Sequence, residues 1–239
     1  KAPEGGNTGT TWGAQRLILF NFAADIWEAF LDSSVQININ SQFNSLAQCG
    51  ILGQAGATTV HEDFPNAEFP NTWYGPALAS KRAGSDQNGA TAEINATFNT
   101  DFDNGCLGGG SRFYYGLSDA APGNMINLLV VLLHEMGHGL GFQTFADGSS
   151  GALFLGLPDI YNRYSFDRDT SLYWYQMTDA QRATSARNNG DLLWDGPNVK
   201  IASGFLTAGR DVTNGRVQLY APSTFSPGSS VSHFDSACA

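Results

Sequence analysis

The chain has 239 residues, which is enough for one domain with a sizeable core or for two closely joined subdomains. Its formal net charge of −10, with twelve scattered Lys and Arg residues, argues against nucleic acid and against an anionic membrane as the partner. The longest apolar run, residues 128–133, is too short to span a bilayer.

The first part of the chain predicts a helix, a strand and a long loop region. Residues 14–31 carry apolar side chains at helical spacing, which predicts an amphipathic helix. Residues 35–40 alternate apolar and polar side chains and predict a half-buried strand. Residues 41–75 are predicted to be mostly loop, and residues 76–82 predict a short helix with proline in its first turn. A helix followed by a strand is the expected opening of an α/β layer packed on one sheet.

Residues 93–99 and 111–116 are predicted to be strands on either side of a loop rich in oxygen ligands. Four side chains in this loop are of the type that calcium prefers: Asn99, Asp101, Asp103 and Asn104. The following glycine falls one position too late for an EF-hand, and position 110 is glycine where a bidentate glutamate would be needed. Ca2+ binding is therefore one hypothesis, and a solvated turn is the favoured alternative.

The run from residue 124 to residue 142 organises the rest of the chain. Its apolar residues at helical spacing predict a largely buried helix with one face formed by Ile126, Leu129, Val130 and Leu133. His134 and His138 are four residues apart, so both imidazoles reach one zinc ion from the same helical face. Glu135 lies where its carboxylate can take a proton from a metal-bound water. Gly141 is placed to end the helix. If this pattern had arisen by chance, two histidines and one glutamate would be buried without a compensating partner, which is costly. The pattern therefore predicts one catalytic zinc.

A catalytic zinc site requires a third protein ligand. The nearest position for another histidine is occupied by Thr144, and no glutamate follows Glu135. We favour His233, which lies in a Gly- and Ser-rich segment, with Asp235 or a backbone carbonyl accepting from its second ring nitrogen. Three alternatives stay open: His61, Asp147 and Asp159.

Residues beyond 142 differ in character, with aromatic side chains at short intervals among Gly and Asp. They predict a second, mostly irregular subdomain, so we divide the chain into subdomains 1–141 and 142–239 that form one catalytic unit. Thr178 and Gln181 form a capping box, which predicts a helix that continues to about residue 188. Residues 191–232 predict short strands and turns.

The three cysteines predict at most one internal disulfide, and we favour the pair Cys49–Cys106 over the pairs that include Cys238. The chain opens on Lys1 without an initiator methionine or signal sequence. We therefore expect a mature secreted product of a zymogen, whose leader and pro-segment have been removed.

The segment from His134 to Phe142, with the pattern HExxHxxG, resembles the zinc helix of the metzincin clan of metallopeptidases. A third histidine delayed by a long insertion, within residues 232–235, is similar to the leishmanolysin-like peptidases and related secreted bacterial enzymes. In that family a methionine-containing turn follows the third histidine. This sequence departs from it, because its methionines are Met125, Met136 and Met177.

The resemblance implies an α+β fold in which an N-terminal twisted sheet packs on the active-site helix and a mostly irregular C-terminal subdomain carries the third ligand. It also implies that residues 93–99 form an edge strand at the rim of the cleft, where an extended substrate pairs; an ordinary sheet strand is the alternative. The expected function is a secreted, monomeric zinc metalloendopeptidase that hydrolyses protein or peptide substrates with a zinc-bound water activated by Glu135. A zinc hydrolase of non-protein substrates and a secreted binding module with structural zinc are the alternatives.

Overall fold

The computed structural model describes residues 1–235 of the chain. Its α-helices are α1 (Trp12–Glu28), α2 (Pro76–Ala83), α3 (Thr100–Asp103), α4 (Leu128–Gly139), α5 (Ile160–Tyr164), α6 (Asp179–Ser185) and α7 (Pro197–Ala202). Its strands are β1 (Ile39–Asn44), β2 (Gly53–Ala57), β3 (Ile94–Asn99), β4 (Phe113–Tyr114), β5 (Ile126–Asn127), β6 (Ser165–Asp167), β7 (Leu172–Tyr173), β8 (Leu192–Trp194) and β9 (Val217–Gln218). Helices thus combine with small sheets, as expected of the α+β class.

Two compact units make up the described chain. The first comprises Lys1–Thr59 and Gly75–Leu140, and the second comprises Val60–Tyr74 and the chain from Gly141 onward. The segment Val60–Tyr74 therefore groups with residues that are far away in sequence. The predicted division between residues 141 and 142 leaves the segment Val60–Tyr74 with the first part of the chain. Its grouping with the second unit depends on contacts between distant parts of the chain, which the sequence does not reveal.

The first unit contains a three-stranded sheet in the order β1-β3-β2. Strand β3 is parallel to β1 and antiparallel to β2, and its side chains Ile94 and Phe98 are buried. The prediction that residues 93–99 form an edge strand is wrong, because both neighbours pair with them. One sheet edge is β2, which lies within residues 41–75 that the sequence predicts to be mostly loop. Its sequence, Gly-Gln-Ala-Gly-Ala, lacks the β-branched and aromatic residues that signal a strand.

The start of β1 also differs from the prediction. The strand begins at Ile39, four residues after the predicted start at Val35. A turn precedes it, in which the Ser33 hydroxyl donates to the Val35 carbonyl, and the Asn38 N–H donates to Glu93 at 2.6 Å. These two contacts use backbone groups that a longer strand would need.

Helix α4 packs against α1 on one side and against β2 and β3 on another. Asn127 caps its first turn by accepting from the Leu129 N–H at 2.9 Å, and Trp27 of α1 donates to the Leu133 carbonyl at 3.2 Å. Its buried face consists of Leu128, Leu129, Val131, Leu132, Glu135, Met136 and Gly139. The predicted apolar face is therefore partly wrong, because Val130 is 57 % exposed. Gly141, just beyond the helix, has a φ of 126°, which favours glycine.

The last turn of α4 lies very close to β3. A Cβ atom at Gly139 would be 2.3 Å from Cγ2 of Ile94 and 2.8 Å from Cγ1 and Cδ1 of the same side chain. Carbon atoms do not approach so closely, so glycine at this position allows the helix to contact the strand. Gly139 therefore fixes the spacing between the sheet and the helical turn that carries His138.

The second unit contains a four-stranded antiparallel sheet in the order β7-β6-β8-β9. Its core includes Trp174, Tyr161, Leu192 and Leu219, and α6 begins with the predicted capping box at Thr178. The unit is less irregular than predicted. Its strands are only two or three residues long, so alternation cannot be recognised in the sequence.

The predicted disulfide Cys49–Cys106 is present, with a Cα–Cα distance of 5.8 Å. Cys238 lies outside the described residues. None of the helices in residues 1–235 is long and apolar enough to cross a membrane.

Candidate metal centre

His134 and His138 meet on one face of α4. Their Nε2 atoms are 3.1 Å apart, and the ring planes are nearly perpendicular at 88°. A tetrahedral zinc ion at roughly 2.0–2.1 Å from two nitrogens places those nitrogens about 3.3 Å apart. The observed separation fits this requirement closely. The two nitrogens are thus spaced as two ligands of one metal ion would be, and metal binding itself remains a prediction.

His233 lies in a segment that pairs with residues 218–220, at the end of β9 and just beyond it. The Tyr220 N–H donates to the His233 carbonyl at 2.8 Å, and the Asp235 N–H donates to the Gln218 carbonyl at 2.9 Å. The His233 Nδ1 atom is 2.8 Å from the Ser229 carbonyl oxygen. Because a carbonyl only accepts, Nδ1 carries the proton and Nε2 is the unprotonated nitrogen of the neutral ring. The partner is thus a backbone carbonyl, one of the two predicted acceptors.

The three histidines form the one group of metal-ligating side chains found in the described residues. One ligand atom from each of His134, His138 and His233 lies within 4.8 Å of the others.

The alternative third ligands have other roles in the structure. Asp147 accepts hydrogen bonds from Ser149 and Ser150 in an exposed turn, and these bonds lower the pKa of its carboxyl. Asp159 is buried at the start of α5, where burial raises its pKa to about 6. The backbone of His61 forms a bridge with Tyr74. Neither aspartate nor His61 belongs to the three-histidine group.

Glu135 is buried, with only 7 % of its surface exposed, and follows the first histidine. Burial raises the pKa of its carboxyl to about 7, against a smaller lowering by the hydrogen bond from the Ala55 N–H of β2. A Cβ atom at Gly53 would be 3.0 Å from Cγ of Glu135, so β2 packs directly on this side chain. A carboxyl group with a pKa near neutrality can both accept and return a proton.

The contribution of β2 to this site was missed by sequence reasoning. The signal was present in Gly53 and Gly56, because glycine within a strand marks a close approach of another group. Both glycines fall within residues 41–75, where the neighbouring residues predict a loop.

The segment predicted to be a loop, and considered for calcium, instead forms the end of β3 and the short helix α3, and its side chains bond to protein groups. Asn99 accepts from the N–H groups of Leu46 and Asp101, and Asp103 contacts Arg16 at 3.3 Å. Asp101 accepts from the Ser45 hydroxyl. A calcium site in this segment remains a prediction.

Comparisons with protein-family models, curated proteins and solved structures find no match to this chain.

Proposed function

We propose that this chain is a secreted zinc metalloendopeptidase of the metzincin type, with one catalytic zinc held by His134, His138 and His233. The observation that carries the proposal is the three-histidine group beside a buried glutamate with a raised pKa. Perturbed carboxyl groups next to a metal-ligating cluster are typical of active sites.

The donor set favours a catalytic zinc over a structural one. Structural sites are usually closed by four protein ligands and are rich in cysteine, whereas catalytic sites have three protein ligands and one open position. The group found here consists of three histidines. When bound, zinc lowers the pKa of water and polarises a carbonyl group.

Glu135 has the position and proton affinity of a general acid and base. Its carboxylate accepts a proton from the attacking water and returns it to the departing amine. The Ala55 N–H and the contact with Gly53 hold this carboxylate in place. A cation bound nearby lowers the pKa of the Glu135 carboxyl, and this favours the ionised form that accepts the proton.

The edge strand β2 supports a protein or peptide as the substrate. An edge strand presents backbone groups with which an extended peptide pairs, and β2 contacts Glu135 through Gly53 and Ala55. In this proposal the extended substrate pairs with β2 and not with residues 93–99, which form the central strand. Secretion is supported by the Cys49–Cys106 disulfide, because such bonds persist in oxidising compartments.

The test compares Glu135→Gln with the wild type on an unstructured protein substrate. We expect cleavage to fall roughly 100- to 10,000-fold, because a proton carrier is lost, while elemental analysis still finds about one zinc per chain. Glu28→Gln, at the exposed end of α1, is the control and should retain activity. Full activity of Glu135→Gln would overturn the proposal. A wild type that binds zinc but cleaves no protein would favour a non-protein substrate or a structural zinc.

A further inference from the structure

Thr144 occupies the position that the short metzincin spacing would give to a third histidine. Its backbone N–H donates to the Ser232 hydroxyl at 3.1 Å, and Ser232 directly precedes His233. Its own hydroxyl donates to Asp159 at 2.9 Å and accepts from the Asn162 side-chain amide at 2.9 Å. Thr144 therefore connects the segment that follows α4 to the segment that carries His233.

Asp159 holds the Thr144 side chain in one orientation. The carboxyl is only 1 % exposed and accepts from the backbone N–H groups of Phe145 and Asn162, besides the Thr144 hydroxyl. A buried carboxyl with several donors has one geometry in which all are satisfied. The Thr144 hydroxyl is thereby fixed, and so is the N–H that faces Ser232.

The segment before His233 has an unusual backbone that needs such support. Val231 has a φ of 74°, a conformation that a β-branched residue rarely adopts. It is held by its N–H, which donates to the Tyr220 carbonyl at 2.7 Å, and by the Tyr161 hydroxyl, which donates to its carbonyl at 2.8 Å. Conformations of this kind persist only where surrounding contacts enforce them, and they are concentrated at functional sites.

We propose that Thr144, anchored by Asp159, is a positioning residue for His233, which it orients through Ser232. This inference rests on the proposed function, since it assumes that His233 binds the metal. Together with the bond between Nδ1 of His233 and the Ser229 carbonyl, the contact fixes the backbone on the N-terminal side of the ligand and the direction of its ring.

The experiment has two measurements. Zinc affinity is measured by competition with a chromogenic chelator, and coordination geometry is measured by the visible absorption of the Co2+-substituted protein. Ser232→Ala and Thr144→Val should each weaken zinc binding about 10- to 100-fold and reduce the Co2+ absorption typical of tetrahedral sites. Thr144→Ser keeps the hydroxyl and should show the zinc affinity and the Co2+ absorption of the wild type. Thr170→Val is the matched control, because Thr170 makes a similar hydroxyl bond to Asp167, and it should leave both unchanged.

His233→Ala distinguishes a failure of the proposed zinc site from a failure of the positioning role of Thr144. If it binds zinc as tightly as the wild type, the three-histidine site fails and the proposed function fails with it. If it weakens binding while Ser232→Ala and Thr144→Val do not, the positioning role alone is refuted. Ser232→Ala keeps Asp159 and Asn162 fully paired, so it remains informative if Thr144→Val does not fold.

Discussion

Replacing Gly139 by alanine tests whether α4 approaches β3 as closely as the structure shows. The new Cβ atom would be 2.3 Å from Cγ2 of Ile94, and an ordinary carbon–carbon contact requires this separation to increase by roughly 1.2–1.7 Å. Ile94 is fully buried in the central strand, so it cannot move away into solvent. Overpacking of this kind costs about 1–3 kcal/mol, of which the higher helix propensity of alanine offsets up to about 1 kcal/mol.

Gly137 provides the matched control two residues earlier in the same helix. An added Cβ there would be 3.6 Å from Trp27, which is an ordinary contact. Gly137→Ala should therefore raise the free energy of unfolding by up to about 1 kcal/mol through helix propensity alone. We expect the two variants to differ by about 2 kcal/mol, with Gly139→Ala the less stable.

The assay is urea unfolding at 25 °C with the disulfide intact, followed by far-ultraviolet circular dichroism. Ile94→Ala in the Gly139→Ala background should be less harmful than Ile94→Ala alone, because removing the Ile94 side chain relieves the clash. Equal stabilisation by Gly139→Ala and Gly137→Ala would refute the close approach of the helix to β3.

Two other predictions concern the third ligand and acid stability. His233→Ala should weaken zinc binding strongly, whereas His61→Ala should change it little; the reverse order, measured by chelator competition, would assign the third ligand to His61. Burial raises the pKa of Glu4, but hydrogen bonds from Arg112, the Tyr115 N–H and Lys1 outweigh it and lower the pKa to about 2. Because the pKa is lower in the folded state, the stabilisation is complete above the ordinary pKa of 4.5 and is lost as the pH falls toward 2, by at most about 3 kcal/mol. Urea unfolding from pH 6 to pH 2 should thus show a smaller loss of stability in Glu4→Gln than in the wild type, and an identical loss would contradict the argument.

The sequence alone determined the helix that carries His134 and His138, because the signals for that helix lie within one element. The spacing of His134 and His138 is a property of the α-helix, so it is readable without knowing what the helix contacts. The same holds for the proline that opens α2 and for the capping box of α6, which are confirmed because both act over one helical turn.

Only the tertiary structure decided what surrounds that helix. The exposure of Val130 and the packing of β2 against Glu135 both depend on residues distant in sequence. Local periodicity carries no information on such contacts, and β2 lacks even the usual strand residues. Thr144 shows the difference most clearly. In the sequence it excluded a nearby third ligand, and in the structure it is hydrogen-bonded beside the more distant one, because the chain returns 88 residues later to meet it.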